Sequence, residues 1–475
     1  MSWSNQAYYH YDYGRGIVAG PINQAGLPAL FSAYYPGPAG ESPAEQVQRL
    51  KAQFGGTGYA VRTTEYLINR GGLISTFKWQ LGNHDLEAGL WFEKEFSTQH
   101  RAWYPFAKAN NDLTPYDIPT GANFDQYYGR FNISVLNLHV QDQWHLTPAL
   151  TLSYGFKSSN QDGSGWFPIN QKNAATTPEA NKIHYPTGTI RTHEGFLPQI
   201  GLVWDATPGD QLYVDAQKNV RQFIVYGAGG SAWSLANQAA FDLFKSTVKP
   251  ETSWTYEAGY RFHHSLNLGP ITAFDGQASV YHVDFSNRLL SISPTSTILS
   301  LVAGAAILAN VGSVKTDGAD LAGTLRFGSH ISFYDALSYN KSEYQDNYTV
   351  GSANTVVPTA GKSIPASPDW LNKFVLSANY GPFSGEFTGD YVGERFATYT
   401  NDLKVDSYFL TGLQASYRFT LPQGSIADSA RISLNITNLG DTKGVSTLVV
   451  GAASGTYNTY PIPPRQYFVN LTTKF

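Results

Sequence analysis

The chain has 475 residues, no cysteine, a net charge of −4, and only 14% charged residues against 14% aromatic ones. An ordinary globular chain carries about a quarter charged residues, so this one is short of charge and rich in rings that favour interfaces. The longest apolar run, 298–309, is too short to span as a helix, which excludes a helical membrane protein, and the charge leaves no footprint for nucleic acid.

The absence of cysteine fits passage through an oxidising compartment. The first ten residues, Met-Ser-Trp-Ser-Asn-Gln-Ala-Tyr-Tyr-His, have neither the basic region nor the apolar region of an export signal. The sequence as it stands is therefore expected either to stay unexported or to begin after its true start.

In chain order the sequence reads as strand after strand. Residues 5–14 form an aromatic strand with Tyr8, Tyr9, Tyr11 and Tyr13. A segment rich in Pro, Gly and Ala runs to about residue 60. Within it, Ser42-Pro43-Ala44-Glu45 ahead of Val47 and Leu50 predicts a short helix with a capping box and Pro at its first position. Long strands at 64–81 and 85–104 are joined only by Gly82-Asn83-His84. A strand at 126–145 turns through 146–149 into 150–159. After a long gap, 192–205 turns through 206–210 into 211–222. A Gly-rich segment, 225–250, precedes 253–263, which turns into 272–290. The strand 313–327 turns at Gly328-Ser329 into 331–344, and 372–380 turns at Gly381-Pro382 into 383–397. Strands 405–419, 430–438 and 467–475 complete the chain.

That makes about sixteen strands whose connections alternate between two classes. Short turns carry Pro, Gly and Asn, whereas most of the others are long, aromatic and Gly-rich; 397–405 is the one short member of the second class. An up-and-down membrane barrel has this asymmetry, because its periplasmic turns are short and its extracellular loops long. A β-sandwich has no reason to sort its loops by parity. The strands also alternate as a half-buried strand must: Phe409, Leu413, Ala415, Tyr417 and Phe419 share one face, while Tyr408, Gln414, Ser416 and Arg418 share the other. In the last strand Tyr467, Val469, Leu471, Thr473 and Phe475 do the same. The fold class expected is all-β, a transmembrane antiparallel barrel over 1–475 with both termini on the short-turn side.

Several motifs then carry a resemblance. Gln141-Asp142-Gln143-Trp144, followed by Leu146-Thr147-Pro148 and Leu150-Thr151-Leu152, resembles a hairpin of TonB-dependent outer-membrane receptors. Phe196-Leu197-Pro198-Gln199-Ile200-Gly201, Glu257-Ala258-Gly259-Tyr260-Arg261, Asn310-Val311-Gly312, Gly318-Ala319-Asp320, Asn435-Ile436-Thr437-Asn438-Leu439-Gly440-Asp441 and Pro464-Arg465 to Phe475 follow in the family's order. The resemblance implies the C-terminal barrel portion of such a receptor. The family's plug domain, its TonB-contacting box and about six of its nominal 22 strands have no counterpart in the sequence. The chain is thus expected not to transport by itself. What the resemblance implies for partners is outer-membrane lipid and lipopolysaccharide, the barrel-assembly machinery, a siderophore or similar small ligand, and the TonB complex only through the missing plug. It implies Phe475 as the terminal aromatic that the assembly machinery reads, and a cell outer membrane location. Iron–siderophore complexes are the first cargo class, with cobalamin and oligosaccharides behind.

The residues give no sign of bond chemistry, cofactor or metal. His263 and His264 are adjacent, but neighbours on a strand point to opposite faces and cannot share an ion. No Gly-x-Ser-x-Gly nucleophile motif occurs. Arg465 after two prolines serves either the start of the last strand or a lipopolysaccharide phosphate. The ligand surface expected lies in the long segments, on Tyr34, Tyr35, Trp103, Tyr104, Trp166, Phe167, Tyr226 and Trp233, rigid amphipathic side chains with little entropy to lose. The other reading of these aromatics is interfacial girdle. No loop is markedly basic, so an anionic cargo is not demanded. Two alternatives stand beside the receptor: a general diffusion porin, for which a long inward-folding loop is expected, and a secreted β-rich carbohydrate-binding or hydrolytic protein.

Overall fold

The computed structural model describes residues 1–475 apart from 25, 108–116, 118, 180, 181, 228–230, 236, 293–306, 351–354 and 451–457. Most of the apolar run 298–309 lies outside the described residues. Sixteen strands form one antiparallel sheet in strict sequence order, each strand bonded to the next. They are β1 (Ser2–Pro21), β2 (Gly56–Leu81), β3 (His84–Ala107), β4 (Phe124–Thr147), β5 (Leu150–Ile169), β6 (Gly188–Thr207), β7 (Asp210–Arg221) and β8 (Glu251–Leu268). The series continues with β9 (Ile271–Ser286), β10 (Val314–Phe327), β11 (Ile331–Tyr344), β12 (Trp370–Tyr380), β13 (Phe383–Val392), β14 (Tyr408–Thr420), β15 (Ser429–Thr437) and β16 (Gln466–Lys474). No ladder joins β1 to β16 among the described residues. Among the described residues three α-helices, α1 (Leu27–Tyr34), α2 (Pro43–Gln53) and α3 (Gln238–Thr247), all fall in long connections.

Side-chain parity sorts the two faces. Phe409 lies opposite Tyr391, Leu413 opposite Phe387, Ala415 opposite Gly385 and Tyr417 opposite Phe383. Val469 and Leu471 lie opposite Leu434 and Ile432. Large apolar side chains on this face stay exposed, Val469 and Leu471 at 69% each, which only an apolar surrounding tolerates over so wide a band. Aromatics bracket the band. On β8, Trp254 stacks with Tyr256 at one end and Tyr260 with Phe262 at the other, with Ala258 between. The opposite face is polar: Lys78 pairs with Glu87 at 2.9 Å, and the Tyr213 hydroxyl donates to Glu257 at 2.6 Å.

The short turns are made by backbone chemistry. At Gly269-Pro270 and Gly381-Pro382 the glycine takes φ near +60°, which a side chain would resist, and proline fixes the next φ negative. Asn287, in the left-handed region at φ 55°, ends β9 at Ser286, four residues before the end expected from sequence. Other boundaries also moved. β1 runs to Pro21 and β5 to Ile169, so 15–21 and 160–169 are strand rather than loop. β13 stops at Val392, and β14 begins at Tyr408. The capping box at Ser42 is present, with Pro43 in the first turn. α1 and α3 carry weaker sequence signals and were not anticipated.

Candidate functional site

The long-loop end of the inner face is where buried apolar residues collect. α1 and α2 fold over the ends of β2 and β3. The Ser42 side chain accepts from the Glu45 N–H, and the Glu45 carboxylate accepts from the Ser42 hydroxyl at 2.7 Å and the Ser42 N–H at 2.9 Å; those two bonds to the carboxylate, the hydroxyl's first, hold it below its usual range. Arg49 ties the two helices together, pairing with Glu41 at 2.6 Å and donating to the Tyr35 carbonyl at 2.8 Å. Phe31, Leu50, Phe54, Ile22, Ala60 and Trp103 make the core beneath them. Phe31 stacks on Phe54 at 4.4 Å and meets Trp103 edge-on at 4.9 Å.

A second connection, between β7 and β8, folds inward along the wall. The Phe223 N–H donates to Thr192 at 3.1 Å, and Gln161 donates to the Phe223 carbonyl at 2.8 Å. Tyr226 reaches β3, where its hydroxyl donates to the Thr98 carbonyl at 3.4 Å. The segment therefore crosses β6, β5 and β4. Glycines in the wall make the room: a Cβ on Gly163 would lie 2.3 Å from Val225, one on Gly165 2.4 Å from Trp233, and one on Gly188 2.4 Å from Phe241. Trp233 is fully buried there, edge-on to Phe131 at 5.7 Å.

Between α1, the wall and residues 171–174, Thr177 and Ile183 lies a cavity of about 370 Å³. Its wall is set by register. Arg62 on β2 lies opposite Trp103 on β3, and Thr64 opposite Arg101. The two arginines are thus diagonal neighbours on one face. A β-bulge in β4 follows: Arg101 pairs with Tyr127 and Ala102 with Asp125, leaving Gln126 as the extra residue. Bulges re-aim side chains, and this one turns Gln126 to accept from Trp103 Nε1 at 2.8 Å while donating to Gln171 at 2.7 Å. Lys172 stands beside Tyr34, its backbone N–H on the Tyr34 hydroxyl at 3.1 Å and its ammonium 5.4 Å from the ring centroid. Burial raises the Tyr34 hydroxyl, and Tyr185, in the same connection as Lys172, is pushed well above its ordinary value by the same cause. A larger concavity of about 470 Å³ lies on the apolar outer face, between Leu202, Trp204, Leu212, Val214, Ala258 and Ala278. It has almost no polar group to orient a ligand, and it is a dip in the apolar band.

The eight aromatics singled out from sequence fall in different places. Trp103 lines the cavity. Tyr34 backs it, stacked on Phe124 at 3.7 Å, and the Tyr35 hydroxyl is fixed to the Asn123 carbonyl at 2.9 Å. Phe167 packs on Tyr127 and Tyr185. Tyr226 and Trp233 belong to the inward-folded segment. Trp103-Tyr104 and Trp166-Phe167 sit on strands, not loops, so each pair is split: Tyr104 packs with Val61 and Ala102 on the face opposite Trp103. His263 pairs with Asp275 and His264 with Asp210, on different partners. The Arg465 N–H meets Asp441 at 3.1 Å, and Phe475 ends the chain exposed. Arg62, Arg101, Lys172 and Gln126 were not singled out from sequence. The cations come from three separate segments, and only their strand parity and register could have brought them together.

Residues 2–439 match a family model described as TonB dependent receptor-like, beta-barrel. No curated protein matches the chain. Among solved structures it is similar to the siderophore receptor PiuA from Acinetobacter baumannii, at 15% identity and a TM-score of 0.63, covering 99% of this chain and 61% of that one. It is also similar to the ferric-catecholate import receptor Fiu from Escherichia coli K12 (12%, 0.59, covering 98% and 61%). A third is the ferripyoverdine receptor of the outer membrane of Pseudomonas aeruginosa (13%, 0.56, covering 99% and 54%). At these identities the likeness is one of fold. The chain spans only 54–61% of the length of these three.

Proposed function

Because the chain belongs to the TonB-dependent receptor β-barrel family, whose members are transport receptors rather than enzymes, we propose that it is the wall of an outer-membrane receptor for uptake of a scarce nutrient, an iron–siderophore complex first among them. The observation that carries this reading is the cavity at the long-loop end of the inner face, where α1, Arg62, Arg101, Trp103, residues 171–174, Thr177 and Ile183 surround about 370 Å³. That volume and mixed lining suit a small ligand. The place suits capture from outside, since the short turns all lie at the other end.

The inward-folded connection between β7 and β8 gives a second reading its one support, because a diffusion porin narrows its channel with such a segment. One experiment separates the two. Cells expressing the protein are offered a panel of siderophores loaded with radioactive iron, with and without an uncoupler. A receptor that carries this wall together with a plug should give saturable uptake that disappears when the proton gradient collapses, whereas the chain by itself is expected to give none. Uptake that rises linearly with concentration and ignores the gradient would replace the receptor by an open pore.

A further inference from the structure

The cavity described above differs from the places of Arg15, Arg49 and Arg288 by what its cations lack. Arg15, Arg49 and Arg288 each sit against a glutamate carboxylate at 2.6–2.7 Å. Arg62, Arg101 and Lys172 pair with no carboxylate among the described residues. Arg101 donates to the neutral Thr64 hydroxyl at 3.1 Å and lies 5.1 Å from the Tyr127 ring centroid. Arg62 Nε is buried and has no hydrogen-bond partner among the described residues, with the Trp103 ring centroid 6.0 Å from the guanidinium carbon. Two half-buried guanidiniums on one face repel each other, and a buried donor without an acceptor is costly. A fold that keeps both through register and a bulge leaves an anion to complete the arrangement.

Resting on the receptor reading above, we infer that this cavity is an anion-recognition site and that its ligand is a small carboxylate-bearing chelate, gripped by Arg62 and Arg101 with Lys172 at the mouth. The planar forks of the arginines suit a carboxylate bidentately. Gln126 is held in the wall by one bond each to Trp103 and Gln171 and carries no charge, which leaves charge selection to the cations. Trp103, Leu27 and Leu30 supply apolar contact beside the charged corner. Phosphate shares the oxyanion chemistry, and the test below separates the two.

The experiment is equilibrium binding to the purified full chain in detergent, read by tryptophan fluorescence and calorimetry. The probes are citrate, ferric citrate, inorganic phosphate and a neutral ferric trihydroxamate. Ferric citrate is expected to bind, with affinity falling at least about tenfold in R62Q/R101Q and several-fold in K172Q. Raising the salt from low to near 1 M should weaken it further. R62K/R101K should recover part of the loss, and any binding of the neutral chelate should be the same in all variants, which also reports that they fold. Should the double variant fail to fold, K172Q alone decides, since Lys172 is exposed on a loop. Equal affinity for ferric citrate in wild type and variants, or no binding of any carboxylate, would overturn the inference. Phosphate binding more tightly than citrate would overturn the carboxylate assignment. No gradient enters this measurement, so binding here without uptake by a receptor that carries this wall and a plug would fault the receptor reading alone, and uptake without anion selectivity would fault this one alone.

Discussion

The first six strands and the last five are built to different lengths. β1 to β6 have 20–26 residues, whereas β12 to β16 have 9–13. A tilted crossing of a bilayer needs about 9–11. The last strands are therefore little more than the crossing itself, and the first six carry about ten residues each beyond it. That excess holds Arg62, Arg101, Trp103, Gln126 and the glycines that admit the inward-folded segment. The chemistry of this molecule is a matter of overhanging strand ends as much as of loops.

The comparison can be broken most forcefully at Trp233. It is fully buried against the overhanging wall, and removing a buried Trp side chain costs about 3–5 kcal/mol. Trp233→Ala should release the segment between β7 and β8, so that external protease nicks it in intact cells. Leu413→Ala, on the exposed apolar face of β14, should leave the digestion pattern unchanged. A W233A protein as resistant as wild type would show that the segment is held by something other than this packing.

A smaller effect is expected from filling the wall. A Cβ on Gly165 would lie 2.4 Å from Trp233 and 2.9 Å from Phe131, whereas one on Gly385 in β13 meets nothing nearer than a carbonyl at 3.7 Å. Gly165→Val should destabilise by about 1–3 kcal/mol through overpacking, and Gly385→Ala should stay within about 0.5 kcal/mol. Urea unfolding of the two variants measures the difference. Equal losses would mean that the wall glycines serve the strands rather than the segment resting on them.

What the sequence made legible follows the same division. Where a strand is only a crossing, period two and a Gly-Pro or Gly-Ser turn fix it, and 331–344 and 372–380 were found nearly to the residue. Where strands overhang, their ends lose the alternation of a half-lipid surface and are covered by loops. Residues 15–21 and 160–169 therefore read as connection. The candidate site suffered the same loss. Aromatic pairs such as Trp103-Tyr104 look like one patch until a strand separates their faces. A lone Arg62 and a lone Arg101 look like nothing until register places them diagonally. No loop is basic, as the sequence says, because the cations are mostly on strands.

The smallest expected effect comes from acid and separates how connections are pinned in the two halves. The inward-folded segment is held by Gln161, Thr192 and Trp233, none of which titrates. In the C-terminal half, Asp346 accepts from the Ser313 hydroxyl at 2.6 Å and its N–H at 2.8 Å, and Asp402 accepts from the Thr398 and Thr400 hydroxyls. Those bonds, Ser313 first for Asp346 and Thr398 first for Asp402, hold both carboxyls below the usual carboxylate range. A group whose folded value lies below its unfolded value contributes stability that is fully present above the unfolded value, near pH 4. The contribution is lost as pH falls through the folded value. Hydrogen exchange, corrected for its intrinsic pH dependence, should therefore quicken around 345–350, 357–363 and 398–402 between about pH 4 and pH 2. Amides of 222–227 and 237–248 should keep their protection over that range. D346N and D402N should already show the quicker exchange at neutral pH and lose the acid response. Acid loosening of the inward-folded segment at the same pH would mean that a carboxylate pins it as well, and the two halves would then differ in strand length alone.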